Sequence, residues 1–438
     1  MYDRFRAADK TAGCELVKGA VGSRSQTDSV MKILANCEGI HPGTTLGVTH
    51  FTWNVFAALR AEFDMQIACQ VLPDMVSDYC AQSVCDDVVP SHAAAPSWLA
   101  GSFLPIRVLR SVYRRASGAL YTSQYSQSLK GGTVEYVPHH FQRPIGKLPT
   151  VVTCFDLHIF DVPWKYRPRQ PLLNRFLSVM RSASAIVTPF RRPFRKLPSL
   201  VADVEKKVFL ATCPTLLADV PLDKAILQLM RARFDVQGNS ILLLYPAMLQ
   251  EHKNHKKLLA ALAILRAGGK DIRLICPGPG FRPDVTRSIM RHAESLGLGD
   301  AVSWPGLMSS EEIRCLYELC TAVVSPSLAE GGNAIAQEAI AFGKPVACAD
   351  TEASREHIAL MGANVPLFAG NDADSIAEGI WEIIRNGSSL VASNEGARER
   401  IEAWTWHRVA ERYAHIIRWV AAGCKPEDKP ERDPGCST

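Results

Sequence analysis

The stretch 326–345, PSLAEGGNAIAQEAIAFGKP, indicates both the fold and the kind of site. It follows the apolar run Ala322–Ser325, which predicts a buried strand, and it then shows the apolar spacing of a helix. A helix that begins directly after a parallel strand presents free backbone N–H groups, which bind anions such as phosphate. Glu330 lies in the loop, and Glu338 lies about two turns into the helix. Because carboxylates accept hydrogen bonds from hydroxyl groups, the pattern predicts a ligand with both phosphate and hydroxyl groups.

Similar strand and helix patterns occur along both halves of the chain. Each predicted strand is a short apolar run without polar alternation, as expected when helices cover both faces of a parallel sheet. The fold class is therefore α/β, with two successive doubly wound, Rossmann-like domains. The predicted strands are 31–37, 65–72, 151–156, 185–188, 207–212, 240–245, 271–276, 301–304, 322–325 and 345–349. The predicted helices are 50–60, 172–182, 255–267, 284–296, 310–319, 333–342 and 373–386.

The same patterns divide the chain into domains. The N-terminal domain is predicted at 1–213, with a variable lead-in over 1–30, and the C-terminal domain at 239–403. Between them, 214–238 predicts a helical linker that serves as a hinge. Apolar residues at helical spacing over 404–423 predict a closing helix. The remainder, 424–438, is rich in proline and charge and is expected to be disordered.

Length and composition exclude several classes of protein. A chain of 438 residues with 47% hydrophobic and 21% charged residues is too long for a lone small binding module and too apolar for global disorder. The net charge of +5 is too small to indicate nucleic acid binding. The thirteen cysteines are scattered without a Cys-x-x-Cys pair, which predicts reduced thiols in the cytosol. No signal peptide or membrane-spanning run of about 18 apolar residues is recognised, so we expect a cytoplasmic protein.

The 326–345 stretch resembles the family 4 retaining glycosyltransferases of the GT-B fold. Their mark is a Glu-x7-Glu pair in the setting P-S-x-x-E-G…E-A-x-x-x-G-x-P-V, and nine positions of this chain match it in order. The resemblance implies that Glu330 contacts the donor sugar and that Glu338 contacts the ribose of a nucleotide sugar. It also places Gly331, Gly332 and Asn333 at the donor. The alternative is an exposed glutamate pair on an ordinary capped helix.

A second segment, 245–255 (YPAMLQEHKNH), resembles the family's Gly-Arg-x-x-x-x-Lys-Asn motif, in which Arg and Lys hold the diphosphate. Lys253 and Asn254 match the motif, whereas Met248 occupies the arginine position. The resemblance therefore implies that Lys253 is catalytic and that Asn254 binds the donor. Since a departing diphosphate gains negative charge, the missing arginine needs a substitute. The candidates for that substitute are the helix start itself, together with His252, His255 and Lys256.

Two loops complete the expected donor site. The segment 296–306 resembles the family's strand that ends in a loop around the nucleotide base, which implies backbone contacts from Gly306, Leu307 and Met308. The glycine-containing loop that ends at Gly47 resembles the family's N-terminal loop, which approaches the diphosphate from the other domain. Glycine gives such a loop the backbone freedom that a close approach requires.

The acceptor side is expected in the N-terminal domain. The segment 149–157 (PTVVTCFDL) resembles the family's strand that ends in His-Asp-Leu, but Phe155 stands where histidine is usual. Asp156 matches the pattern, and a nearby histidine is expected to replace the missing one. The candidates are His158, His139 and His140, although a lone histidine is more often structural.

Positive charge is concentrated between residues 107 and 207, where 18 lysines and arginines face only five acidic residues. Two basic clusters, 104–116 and 189–198, are interleaved with aromatic and apolar residues. Such clusters suit an anionic membrane surface, where basic residues attract lipid headgroups and apolar residues enter the interface. The alternative is a solvated basic face. No nucleic acid partner is expected, since no binding motif accompanies the charge.

The resemblance implies transfer of a hexose, from GDP-mannose or a UDP-sugar, to a lipid-linked or polysaccharide acceptor. The setting would be bacterial polysaccharide or glycolipid assembly, at the inner face of the cytoplasmic membrane. No cofactor or metal is expected, because Lys253 and the helix start play the cation's part and no Asp-x-Asp pair occurs near the site. Two alternatives stay open: a nucleotide-sugar epimerase of the same fold, and a catalytically silent GT-B protein that acts as a binding or scaffold protein.

Overall fold

The computed structural model describes residues 30–40, 47–82, 85–91, 109, 112, 133–144, 148–166, 169–235, 241–280 and 282–433. Within this part of the chain, two parallel β-sheets are each surrounded by helices. None of the described helices is long and apolar enough to cross a bilayer. The cysteines in the same part of the chain are free, as the reduced-thiol prediction requires.

The first sheet has seven strands in the order β3–β2–β1–β4–β5–β6–β7, and every neighbouring pair is parallel. This order, with its reversal between β1 and β4, is that of a doubly wound Rossmann-like sheet. The central strands β4, β5 and β6 are buried along their whole length. The strands are β1 Met31–Asn36, β2 Met65–Val71, β3 Asp87–Pro90, β4 Thr133–Val137, β5 Thr150–Thr153, β6 Ala185–Thr188 and β7 Val208–Leu210.

The second sheet has six parallel strands in the order β10–β9–β8–β11–β12–β13. It repeats the Rossmann-like order, with its switch point between β8 and β11, where ligands of such sheets bind. The prediction of two Rossmann-like parallel-sheet domains is therefore confirmed. The strands are β8 Ile241–Leu244, β9 Ile272–Pro277, β10 Val302–Gly306, β11 Ala322–Ser325, β12 Val346–Ala349 and β13 Leu367–Phe368.

Helices cover both sheets. In the first domain they are α1 Gly47–Glu62, α2 Val76–Gln82, α3 His158–Asp161, α4 Arg169–Ser182 and α5 Arg191–Leu200. In the second half they are α6 Lys224–Arg233, α7 His255–Ala267, α8 Pro283–Ser295, α9 Ser310–Leu319, α10 Ala334–Ala341, α11 Glu352–Met361, α12 Ala373–Arg385, α13 Gly387–Ser393 and α14 Glu395–Glu402, followed by the closing helix α15 Trp406–Ala421. Short 3-10 turns lie at Pro73–Met75, Pro163–Lys165, Glu205–Lys207, Glu251–Lys253 and Pro426–Asp428.

The linker differs from a freely placed helical hinge. Only its second half, α6, is helical, and the carboxylate of Asp223 caps that helix by accepting the backbone N–H groups of Ala225 and Ile226. Met230 and Phe234 are buried in the core of the second domain. This apolar contact fixes α6 to the second domain, so the chain crosses between the domains before residue 224.

The closing helix α15 returns to the first domain. Its Trp406 ring lies 5.6 Å from the ring of Phe51 on α1. The hydroxyl groups of Tyr136 and Tyr413 both hydrogen bond with Oγ1 of Thr153, at 2.8 and 2.7 Å. The closing helix is thus part of the core of the N-terminal domain. The chain therefore passes between the two domains a second time.

The tail departs from the expectation of disorder at 424–438, of which residues 424–433 are described. The backbone N–H of Leu210 donates to the carbonyl of Arg432 at 2.8 Å, and Nε of Arg432 donates to the carbonyl of Val208. Arg191 forms an ion pair of 2.7 Å with Asp433. The tail therefore covers the outer edge of β7, where unpaired backbone groups would otherwise remain exposed.

The second basic cluster, 189–198, joins the two domains instead of forming a free cationic surface. Arg192 binds Asp161 through two hydrogen bonds of 2.7 and 2.8 Å and also reaches Glu352. Arg195 and Lys196 lie 2.7 and 2.9 Å from the same Glu352. The sequence pattern could not indicate this, because Glu352 on α11 is more than 150 residues away. The first cluster, 104–116, lies outside the described residues except for Leu109 and Val112, which are exposed.

Candidate functional site

The domains meet where the loop 326–332 touches the first domain. A Cβ atom on Gly331 would lie 1.9 Å from the carbonyl oxygen of Phe155, and one on Gly332 would lie 2.3 Å from the ring of Phe190. A larger residue at position 331 would force the backbone of Phe155 away, and one at position 332 would displace the ring of Phe190. The Gly-Gly pair is thus required by the close approach of the domains at the start of α10.

Lys253 and Glu330 form the centre of the site. Nζ of Lys253 donates a hydrogen bond of 2.5 Å to Oε1 of Glu330, and both side chains keep about a fifth of their surface exposed to solvent. Lys253 follows β8 and Glu330 follows β11, the two strands that flank the switch point of the second sheet. The carbonyl of Lys253 accepts a hydrogen bond from the buried hydroxyl of Tyr245. The two predicted catalytic residues are therefore brought together at the sheet edge where ligands bind.

Glu338 lies inside α10, 8% exposed, and its Oε2 accepts a hydrogen bond of 2.7 Å from the hydroxyl of Tyr317 on α9. Burial raises the pKa of Glu338 to about 7, although the hydrogen bond from Tyr317 favours the ionised form and lowers it. Within the described part of the chain, its other oxygen, Oε1, forms no side-chain hydrogen bond. This carboxyl can accept a hydrogen bond when ionised and donate one when protonated.

Asn254 and Asn333 both act within the protein. Asn254 adopts a left-handed backbone (φ 62°) at the start of α7, and its Nδ2 donates to the carbonyls of Pro326 and Gly370 at 3.1 and 2.7 Å. Asn333 caps α10 by accepting the N–H of Ala336, and its Nδ2 donates to Ser354. These bonds hold the chain beside Lys253 and at the N-terminus of α10, and the expectation that both residues contact the donor stays a prediction.

The other predicted donor residues are distributed around these elements. Gly306 ends β10 with a φ of 78°, Leu307 is 47% exposed, and the side chain of Met308 is buried in the core. Gly47 begins α1, and one turn later Nε2 of His50 hydrogen bonds with Oγ of Ser310 at 2.9 Å. The start of α1 therefore faces the loop after β10, while residues 41–46, with the glycine at position 43, lie outside the described residues.

None of the three side chains expected to replace the missing arginine supplies a free cation. Burial lowers the pKa of His255 to about 3, and burial together with the charge of Lys253 lowers the pKa of His252 further below its usual range. Both imidazoles are therefore neutral at neutral pH. Lys256 is turned toward α8, where its Nζ donates to Oγ of Ser288 at 2.8 Å.

The acceptor-side candidates gather around one carboxylate, Asp156, at the end of β5. His140 and His158 approach its Oδ1 at 3.7 and 3.4 Å, and His139 stacks on His140 with ring centroids 4.3 Å apart. Burial raises the pKa of Asp156, but His158 and His140 outweigh burial and hold it below its usual range. Burial lowers the pKa of His140 to about 3. This cluster therefore presents an ionised carboxylate next to three imidazoles.

His158, and not Phe155, connects this cluster with the donor loop. The ring of Phe155 packs edge-on against Phe51 in the core, 5.1 Å away, so its side chain does not reach the site. Nε2 of His158 lies 3.0 Å from the carbonyl of Ala329, and it must carry the proton because a carbonyl oxygen only accepts. The His158 ring also lies 4.8 Å from that of His252. The side chain of His158, and not that of residue 155, thus contacts the loop that carries Glu330.

A family model described as glycosyl transferases group 1 matches residues 228–400 of this chain. Residues 228–400, which lie mainly in the second domain, are thus similar to the group 1 glycosyltransferases. The matched residues include Lys253, Glu330 and Glu338. The resemblance of this chain to the family 4 glycosyltransferases is confirmed.

Curated relatives match less than half of this chain. The D-inositol 3-phosphate glycosyltransferase of Corynebacterium urealyticum is 29% identical over 194 residues, which are 43% of this chain and 45% of that protein. The chain thus matches the curated relatives over about half of their length.

Solved structures extend the similarity to both domains. The crystal structure of Anabaena HepE in complex with UDP and glucose has a TM-score of 0.65 at 16% identity and covers 88% of this chain and 98% of its own. WaaG, a glycosyltransferase involved in lipopolysaccharide biosynthesis, has a TM-score of 0.62 at 14% identity and covers 88% and 99%. At these identities the likeness shows the fold alone, which is GT-B.

Two residues of the site were missed by sequence reasoning. Tyr317 lies on an amphipathic helix, where an aromatic residue is ordinarily assigned to the core, and only its contact with Glu338 distinguishes it. Lys165 is one of many basic residues in its segment. Its charge is distinguished by its interaction with Lys253 and Glu330, which lie in the second domain.

Proposed function

We propose that this protein is a retaining hexosyltransferase, which moves a hexose from a nucleotide sugar to a glycan or lipid-linked acceptor. The observation that carries the proposal is the ion pair of Lys253 and Glu330. It lies at the ligand-binding edge of the second sheet, and the loop that carries Glu330 leads into the N-terminus of α10. A cation, a carboxylate and a helix start together suit a ligand with a diphosphate and a sugar.

Several observations support a nucleoside diphosphate hexose as the donor. The N–H groups at the start of α10 are suited to a phosphate, and the partly buried carboxyl of Glu338 to a ribose hydroxyl. Crystal structures of HepE, which has the same fold, contain UDP with glucose and UDP-glucose. UDP-glucose is therefore the first donor to test, followed by GDP-mannose.

In the proposed reaction, the bond between the anomeric carbon and the diphosphate oxygen breaks. The acceptor's hydroxyl oxygen bonds to the same carbon from the same face, and its proton passes to the departing diphosphate oxygen. Lys253 stabilises the negative charge that develops on the departing diphosphate. When the donor enters, its phosphates attract Lys253, and this frees Glu330 to bind a sugar hydroxyl. Lys253 and the helix start thus fulfil the role that a metal ion has in other transferases.

We assign the acceptor to the surface around Asp156. The ionised carboxylate of Asp156, flanked by His140 and His158, can accept a hydrogen bond from an acceptor hydroxyl. The bond from His158 to Ala329 connects this side of the site to the loop of Glu330. A lipid-linked acceptor would bring the protein to an anionic membrane surface, and for this contact we propose the basic cluster 104–116.

The proposed function is tested by incubating the protein with UDP-glucose, GDP-mannose and other nucleotide sugars, each with and without acceptors. Inositol phosphate belongs among the acceptors, because relatives carry that name. We expect one donor to release nucleoside diphosphate in an acceptor-dependent way and the glycoside product to keep the donor's anomeric configuration by NMR. An epimerised nucleotide sugar without a glycoside, an inverted product, or no turnover with any combination would contradict the proposal.

A further inference from the structure

Among the described residues of the domain that carries Lys253, no second cation forms an ion pair or hydrogen bond with Glu330. Met248 occupies the arginine position, and its sulfur accepts a hydrogen bond from Nε2 of Gln250. The neutral imidazoles of His252 and His255 and the outward-turned Lys256 cannot compensate. A diphosphate carries more negative charge than one lysine neutralises. A further positive group is therefore expected from the first domain, which forms the other side of the site.

The segment that runs from His158 to the 3-10 turn Pro163–Lys165 provides such a group. His158 binds the carbonyl of Ala329, next to Glu330. The N–H of Val162 donates to the carbonyl of His158, and that of Lys165 donates to the carbonyl of Val162, at 2.9 and 3.0 Å. Continuous hydrogen bonding therefore holds Lys165 at a fixed place relative to the donor loop.

Lys165 is half-buried, and its charge interacts with those of Asp156, Lys253 and Glu330. Burial lowers the pKa of Lys165, Asp156 raises it and Lys253 lowers it. Its ammonium group lies 5.6 Å from the ring centroid of Tyr166 and forms no salt bridge with a described residue. Because the charges of Lys165 and Lys253 interact, an anion that binds beside Lys253 would also be attracted by Lys165.

We propose that Lys165 binds the donor's diphosphate together with Lys253 and so takes over the part of the missing arginine. This inference rests on the proposed function, because it assumes a nucleoside diphosphate at Lys253. Since Lys165 belongs to the first domain, the diphosphate is then held from both domains at once. The departure of the diphosphate would then remove an attraction between the two domains.

The test is the affinity for a nucleoside diphosphate, measured by calorimetry with the bare UDP or GDP that the wild type binds. Lys165→Met should weaken binding about 10- to 100-fold, as expected for the loss of a contact between charged groups. Lys165→Arg should retain most of the affinity. The matched control Lys224→Met, at the exposed start of α6, should bind within about twofold of the wild type.

A second-site variant separates a lost charge from a distorted site. Met248→Arg, introduced into the Lys165→Met protein, should restore most of the lost affinity, because it returns a cation to the family's position. The corresponding nucleoside without phosphates should bind the wild type and Lys165→Met equally. Unchanged nucleoside diphosphate binding by Lys165→Met overturns the inference alone. A wild type that binds no nucleoside diphosphate overturns the proposed function as well.

Discussion

The hydroxyl of Tyr317 donates a hydrogen bond of 2.7 Å to Oε2 of Glu338, and both side chains are buried. This contact orients the carboxyl within α10 and leaves its other oxygen for a ligand. Burial nevertheless raises the pKa of Glu338 to about 7. The carboxyl is thus balanced between its charged and neutral forms under physiological conditions, which affects both stability and binding.

Glu338 should make stability depend on pH. Between the unfolded value of 4.5 and the folded value of about 7, the folded protein keeps a proton that the unfolded chain has released. The stability from this group is therefore complete below the unfolded pKa and is lost as the pH rises through the folded pKa. Glu338→Gln is neutral at every pH. From about pH 5 to pH 8, the unfolding free energy of the wild type should fall by roughly 2–3 kcal/mol relative to Glu338→Gln. The measurement is the unfolding free energy of both proteins from denaturant titrations across this pH range. If the two free energies change with pH in parallel, the pKa of Glu338 is not raised.

Glu330 and Glu338 should respond differently to truncation, because we propose that Glu330 faces the transferred sugar and Glu338 the ribose. Glu330→Ala should mainly lower kcat, while Glu338→Ala should weaken nucleoside diphosphate binding by about 1–3 kcal/mol. Steady-state kinetics and calorimetry on the same preparations check both effects. If bare nucleoside diphosphate binds Glu338→Ala as tightly as the wild type, the ribose assignment is wrong.

The ion pairs on Glu352 should help to keep the two domains together. Glu352→Lys places a cation beside Arg192, Arg195 and Lys196, so we expect a larger radius of gyration by small-angle scattering. Arg195→Glu in the same chain should reverse much of the change. The exposed Glu378→Lys on α12 is the control and should leave the radius unchanged. Equal radii of gyration for all variants would show that the contacts at Gly331, Gly332 and His158 suffice to keep the domains together.

Membrane binding should distinguish the two basic clusters. Replacing Arg110, Arg114 and Arg115 with Gln should weaken binding to anionic vesicles, and binding of the wild type should fall steeply with added salt. Replacing Arg195 and Lys196 should have a smaller effect, because Glu352 already neutralises them in part. Vesicle cosedimentation measures both. Salt-insensitive binding, or none at low salt, would leave a solvated basic face as the explanation.

Local sequence patterns predict the elements of this fold well. The bounds of β6, β11, α7 and α9 agree residue by residue with the predicted ranges. The apolar spacing and the capping residues that define these elements lie within or next to each element in sequence. Ser309, for example, caps α9. The patterns did not predict the strand β13 or the helices α5, α11, α13 and α14. The helix α11 was missed although Thr351 caps it and Gly362 ends it with a left-handed backbone.

Contacts between distant segments could not be predicted. The charges of Arg192 and Arg195 appeared free because their partner Glu352 lies far along the chain and on the other domain. Asn254 matched a donor-binding motif, yet its amide is used by Pro326 and Gly370. In each case the motif places the residue at the site, while its hydrogen-bond partners depend on the tertiary fold.

The most direct test of the account is the turnover of its preferred nucleotide sugar by Lys253→Ala, with the exposed Lys257→Ala as the control. Removing Lys253 takes away the charge that stabilises the departing diphosphate, so kcat should fall by about two orders of magnitude or more. Circular dichroism should show both variants folded. The account predicts wild-type turnover for Lys257→Ala and near-complete loss for Lys253→Ala. Wild-type turnover in folded Lys253→Ala would contradict it.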